Sequence, residues 1–217
     1  MAPNADMPNK AAQFDSFSLA NMVPQAPKNN QQVWRELEEA TRALVTKQKL
    51  DVFVVTGPVF QGKKLKTIGQ GVIVPSAVYK AVYMPKTGAI GAYYAPNDNS
   101  QQVRIVSVCY LEEQLGVNLF PQLTEEQKRN TYKLPLTATA VKANSAIQYS
   151  HWDAESQCAE EVSSEQLKAL QKNFKSGSTQ SSSGSTVKTG TGIDAADQDA
   201  IVKQLVDALL QYILQLL

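Results

Sequence analysis

The chain has 217 residues, 43% of them hydrophobic, and a formal net charge of +1. That length buries one core of ordinary size with an appendage but not two full domains. Through Lys133 there are 15 Lys and Arg against 11 Asp and Glu, and beyond it 6 against 9, a basic front that suits a polyanion ligand without demanding one.

Residues 1–29 are rich in Pro, Asn, Ala and Ser with no regular period, which predicts an irregular loop. Polar and charged residues interrupt this start, so the chain as written carries no secretion signal. From Asn30 to about Lys49, Val33, Trp34, Leu37, Thr41, Leu44 and Val45 recur at helical spacing, and Asn29 or Asn30 is placed to cap that helix. DVFVVTG and IGQGVIVP read as two strands joined by the basic loop QGKKLKT, and AVYKAVYM and GAIGAYYAPN as two more broken by PKTG. A further segment, QQVRIVSVCYLEEQLGVNLFPQL, ends in a short helix with Gly116 as its stop. Strands mixed with one strong helix indicate an α+β domain. The two cysteines, Cys109 and Cys158, are too few for a zinc site and form one disulfide or none.

Beyond Tyr132 the pattern weakens, with a short helix expected in SSEQLKALQKNFK within the extension 134–175. Residues 176–192 hold 14 Ser, Thr or Gly in 17 positions, the composition of a flexible linker. Residues 193–217 form a helical pattern with a polar line Lys203, Asp207, Gln211 and Gln215 and apolar residues at nearly all other positions from Ile201. Ten uncharged residues, Ala208 to Leu217, fall short of the roughly 20 that span a bilayer. This amphipathic helix therefore serves self-association or a protein partner, a membrane surface, or is a stray apolar end.

Asn30 and Glu38 lie eight residues apart, which on an α-helix is roughly 80° of rotation and about 12 Å of rise. With Arg42 one turn further, an amide, an acid and a guanidinium line one wall of a phosphate site. The plainer alternative is a capping Asn30, a Glu38–Arg42 surface pair and a packed Trp34. Spacing alone does not reach a nuclease.

Four blocks do. Met-Ala-Pro-Asn-Ala-Asp-Met-Pro, then DSFSLANMVPQ, then NN-x-x-VW-x-x-LE-x-x-x-R, then FVVTGPVF, in one order over residues 1–133, resemble the DNA/RNA non-specific endonucleases of the ββα-metal fold. The resemblance implies a nuclease domain in 1–133, with a mixed sheet and flanking helices. It also implies hydrolysis of DNA and RNA phosphodiesters with Mg²⁺, or Mn²⁺ as the alternative. Asn30 matches the family's metal-ligating Asn, Glu38 the acid that holds metal-bound water, Asn21 the Asn that orients the site, and Arg42 an Arg that offsets phosphate charge. Lys63, Lys64 and Lys66 either contact nucleic-acid backbone or form a solvated hairpin tip.

In the family an Asp-Arg-Gly-His motif, whose His is the general base, precedes the block that begins here at Met1. The resemblance thus implies an N-terminally incomplete domain with little activity as written, or a non-catalytic nucleic-acid-binding or protein-interaction remnant. His151, the single histidine, lies beyond the resembling region and is expected to be exposed or packed. Resemblance further implies a secreted or periplasmic location.

Overall fold

Helix α2 (Arg35–Gln48) carries the apolar stripe the sequence shows, and it buries Leu37, Ala40, Thr41, Ala43 and Leu44. Its chain begins earlier than expected: helical turns start at Pro27, and Asn29–Trp34 wind as a π-helix that runs into α2. Pro27 suits a first helical position, where its missing N–H is not needed. Asn29 and Asn30 are therefore already inside the first turn and neither is the cap. At the other end Lys49 takes a left-handed conformation, φ 55°, and its N–H closes on Leu44 and Val45.

The computed structural model describes residues 1–160. The helix expected from Ser163, the linker 176–192 and the helix 193–217 lie outside the described residues.

Four strands, β1 (Phe53–Val59), β4 (Ala77–Met84), β5 (Ala89–Pro96) and β6 (Arg104–Val106), form one sheet in the order β1-β4-β5-β6, and every pairing is antiparallel. β4 is buried along nearly its whole length because both its faces are covered. Val78, Val82 and Met84 pack on Val33, Trp34, Leu37 and Leu44 of the α2 side, while Ala77, Tyr79 and Ala81 meet Val108 and Leu111 of helix α3 (Val108–Leu115). The result is an α+β domain with helices on both sides of the sheet. β4 and β5 form the expected hairpin across Pro85–Gly88, and Gly116 closes α3 at φ 66°.

Two expectations change. The strands of DVFVVTG and IGQGVIVP are not partners: β1 pairs with β4, and the second of them, β3 (Val72–Val74), pairs instead with β2 (Lys66–Ile68) at the end of the basic loop. The N-terminal loop contains a 3-10 turn at Asn4–Asp6 and a helix, α1 (Lys10–Asp15), capped by Asn9 Oδ1 accepting from Ala12 N at 2.9 Å. α1 buries no residue, so it has no apolar stripe to betray it.

Beyond Tyr132 the chain folds back. β7 (Asn130–Tyr132), which follows α4 (Glu125–Arg129), pairs with β8 (Tyr149–Trp152). Lys47 Nζ and Gln48 Nε2 of α2 hold carbonyls of residues 138–145. Cys109 of α3 and Cys158 are joined in a disulfide across a separation of 49 residues. No helix among the described residues is long and apolar enough to cross a membrane.

Candidate active site

A cavity of about 410 Å³ opens between the first six residues, α2 and the β1–β4 edge of the sheet. Asn21, Glu38, Asp6, Thr56 and Lys80 line it. Each arrives on a different element, so the tertiary fold and not local sequence assembles the site.

Asn21 is brought in by its own side chain. Its Oδ1 accepts from Ala2 N at 2.5 Å, and its Nδ2 donates to Ala2 O at 2.9 Å and Ser16 O at 2.8 Å. The Met1 amino group also donates to Oδ1. Asn21 thereby fastens the start of the chain against the cavity wall.

Glu38 is half-buried, and the loss of water around it pushes its carboxyl above the usual range; Lys80 is the main influence pulling the other way. Glu38 does not pair with Arg42. The Arg42 Nε instead donates to Asp6 Oδ1 at 2.5 Å, which replaces the i, i+4 surface pair with a contact across 36 residues.

The two adjacent asparagines separate cleanly. Asn29 is 1% exposed, with Nδ2 donating to Pro96 O at 2.8 Å and Oδ1 accepting from Gln25 Nε2 at 2.9 Å. Asn30 is exposed, two turns upstream of Glu38, and is not among the residues lining the cavity. Lys63, Lys64 and Lys66 are exposed in and beside the β2–β3 ribbon, apart from the cavity lining, and His151 is exposed on β8 beside Ser150 Oγ at 3.1 Å.

Sequence reasoning missed Lys80, Asp6 and Thr56. The signal for Lys80 was present: a charge in AVYKAVYM, on the same side of the strand as Val78 and Val82, is out of place in a buried strand. Lys80 is 2% exposed.

Among the described residues no three His, Cys, Asp or Glu side chains gather as a metal cage. The oxygen donors that line the cavity are the carboxylates of Asp6 and Glu38, the amide of Asn21 and the hydroxyl of Thr56, with the Asn30 amide exposed outside that lining. Hard oxygen donors of this kind suit a cation that keeps most of its waters, and they lack the thiolate and imidazole set of a zinc site.

The family model described as DNA/RNA non-specific endonuclease matches residues 1–126. The chain belongs to the DNA/RNA non-specific endonuclease family. Its α+β architecture agrees with that family's ββα-metal fold. The chain is 36% identical over 148 residues to the mitochondrial nuclease EXOG of Danio rerio, covering 58% of this chain and 43% of that protein. It is 34% identical over 102 residues to the human mitochondrial endonuclease G, covering 41% and 34%, and 31% identical over 141 residues to a nuclease of Nostoc, covering 57% and 50%. The chain thus spans between a third and a half of these nucleases. Two of these relatives are mitochondrial by name, as is the human EXOG nuclease, which overturns the expected secreted or periplasmic location.

Proposed function

We propose that this chain carries the catalytic wall of a sugar-non-specific endonuclease that hydrolyses phosphodiester bonds of DNA and RNA. The observation that carries this reading is the meeting of Asn21 and Glu38 at one cavity, since the resemblance assigns both to the family's site. In this reading Asn30 is the one direct protein ligand of Mg²⁺, or of Mn²⁺ in its place, and Glu38 holds metal-bound water. That cation would offset the charge that develops on the phosphate as the leaving oxygen departs.

The chain's own residues do the rest. Glu38 orients water at the site, and its half-burial makes the hydrogen bonds it offers count for more than they would in bulk solvent. Asn21 holds the segment 1–2 beside the cavity. Asp6 fixes the Arg42 guanidinium through Nε, which leaves both Nη groups to meet phosphate oxygens in a planar fork. Lys63, Lys64 and Lys66 contribute charge toward the nucleic-acid backbone. The mitochondrial relatives support a mitochondrial setting.

A second reading is favoured by the position of His151. It lies on β8 outside the cavity, so the general base that the family uses is not supplied by any histidine of these residues. In that reading residues 1–217 bind nucleic acid without cutting it.

Supercoiled plasmid incubated with the chain in Mg²⁺, with parallel gel shifts at low salt, tests both. Nicking that EDTA stops supports the first reading, and a shift without nicking supports the second. Neither nicking nor a shift at low salt, where charge-driven binding is strongest, sinks both.

A further inference from the structure

Residues 22–26 join the two asparagines that the nuclease reading uses, Asn21 and Asn30, and they belong to no helix or strand. Pro24 within this stretch and Pro27 just after it offer no N–H. A segment with few donors and no ladder takes its position from whatever satisfies its remaining polar groups. Here that partner is Asn97, just beyond the end of β5 and 71 to 73 residues away in sequence.

Asn97 uses its whole side-chain amide. Its Oδ1 accepts from Ala26 N at 2.8 Å, and its Nδ2 donates to Pro24 O and to Pro75 O, both at 2.9 Å. The sense of the amide is fixed by these partners, because reversing it would set N–H against N–H and oxygen against two carbonyls. Asn97 is itself anchored to the sheet, since its N–H donates to Ser76 O at 2.9 Å beside the pairing of Ala77 with Pro96.

The contact is relayed to the site. Ala26 gives its N–H to Asn97, and its carbonyl accepts from Asn30 N at 2.9 Å across the helical turn that starts at Pro27. Asn29 adds a parallel hold on the same strand end, through Pro96 O at 2.8 Å. The Asn30 side chain is exposed, so its place is set by its backbone, and that backbone is tied through Ala26 to the sheet.

We propose that Asn97 is a positioning residue for Asn30, a carboxamide at the end of the sheet that fixes, through Ala26, where the first helical turn presents the Asn30 amide. Its meaning for metal binding rests on the nuclease reading, whereas the coupling of Asn97 to Asn30 does not.

Native-state hydrogen exchange, followed by NMR in the full 217-residue chain, tests the coupling. Asn97→Ala is compared with the parent and with Asp153→Asn, whose hydrogen bonds run to Ser107 and Ser156 and to no residue of this relay. The Asn30 amide should exchange about tenfold faster or more, relative to the α2 amide of Leu44, in Asn97→Ala. That ratio should hold in Asp153→Asn, because a loss of stability elsewhere does not act on Asn30 alone. An unmoved ratio in Asn97→Ala, or an equal rise in Asp153→Asn, overturns the proposal. Should Asn97→Ala not fold, the parent decides: Ala26 and Asn30 should open together, with protection factors within about fivefold of each other, and a wider gap overturns the proposal. In the plasmid assay Asn97→Ala should need about tenfold more Mg²⁺ for half-maximal nicking, and Asp153→Asn the parental amount. An unchanged Mg²⁺ requirement in a chain that nicks also overturns the proposal. A parent that does not nick counts against the nuclease reading alone, and the exchange result then decides the coupling by itself.

Discussion

Arg42 reaches back across 36 residues to Asp6, with Nε 2.5 Å from Oδ1. The pair ties the solvent side of α2 to the turn at Asn4–Asp6, and it gives the half-buried arginine a fixed orientation beside Asp6, which lines the cavity.

Arg42→Lys tests what that orientation is for. A lysine keeps the charge but has no planar fork with which to meet two phosphate oxygens. The kcat/KM for plasmid cleavage should fall by about tenfold or more. The melting temperature should barely move, because partly exposed ion pairs contribute about 0–1 kcal/mol. A large loss of stability with unchanged cleavage per folded molecule would reverse the assignment.

Asn29 and Asn30 are adjacent and should behave as opposites. Asn29→Ala removes two hydrogen bonds from a buried site, leaves the Pro96 carbonyl without its donor, and should cost roughly 2–3 kcal/mol by urea denaturation. Asn30→Ala touches an exposed side chain and should stay within about 0.5 kcal/mol, yet abolish most Mg²⁺-dependent cleavage. A parental cleavage rate in Asn30→Ala would remove it from the metal site.

The helix and hairpin were legible because each is defined by short-range pattern. The stripe from Val33 to Leu44 specifies α2, and the PKTG break specifies the turn between β4 and β5. The partner of β1 was not legible: β1 pairs with β4 across the intervening β2–β3 ribbon, a choice made by burial of both faces of β4 and not by any residue near the turn. Lys80 was legible as a charge inside an apolar strand but not as part of the cavity, because the packing of the whole sheet decides which face of β4 meets α2. Asn21, Asn30, Glu38 and Arg42 came from resemblance to a family, and periodicity favoured a plainer account of the last two that the Arg42–Asp6 contact does not support.

Reduction should loosen the end of the described fold. The Cys109–Cys158 disulfide closes a separation of 49 residues, and loop entropy places its contribution at about 4 kcal/mol. The parent chain should melt lower in reductant, and Cys158→Ser should melt low with or without it. Equal melting of all three would show that the bond does not stabilise the domain.

Acid should act through Asp153. Burial opposes its ionisation, but hydrogen bonds from Ser107 Oγ and from Ser156 and Glu155 outweigh that and hold its carboxyl at about 2, below the ordinary 3.8. A depressed carboxyl stabilises the fold above the unfolded value and loses that contribution as pH falls through the folded one. The melting temperature should therefore drop between about pH 4 and pH 2. Asp153→Asn should melt lower at pH 5 and show a shallower decline, and parallel curves would sink the assignment.

The π-helical turn at Asn29–Trp34 acts as a one-residue spacer. Hydrogen bonds that reach one residue further than in an α-helix absorb an extra position without breaking the rod. Removing one residue between Gln31 and Val33 would let the turn tighten into ordinary α-helix, with α2 and its core contacts intact. The wider winding and the extra residue offset one another, so Asn30 would keep nearly its present phase relative to Glu38. The π turn thus carries one more residue into the rod while Asn29, inside it, keeps its bonds to Pro96 O and Gln25 Nε2.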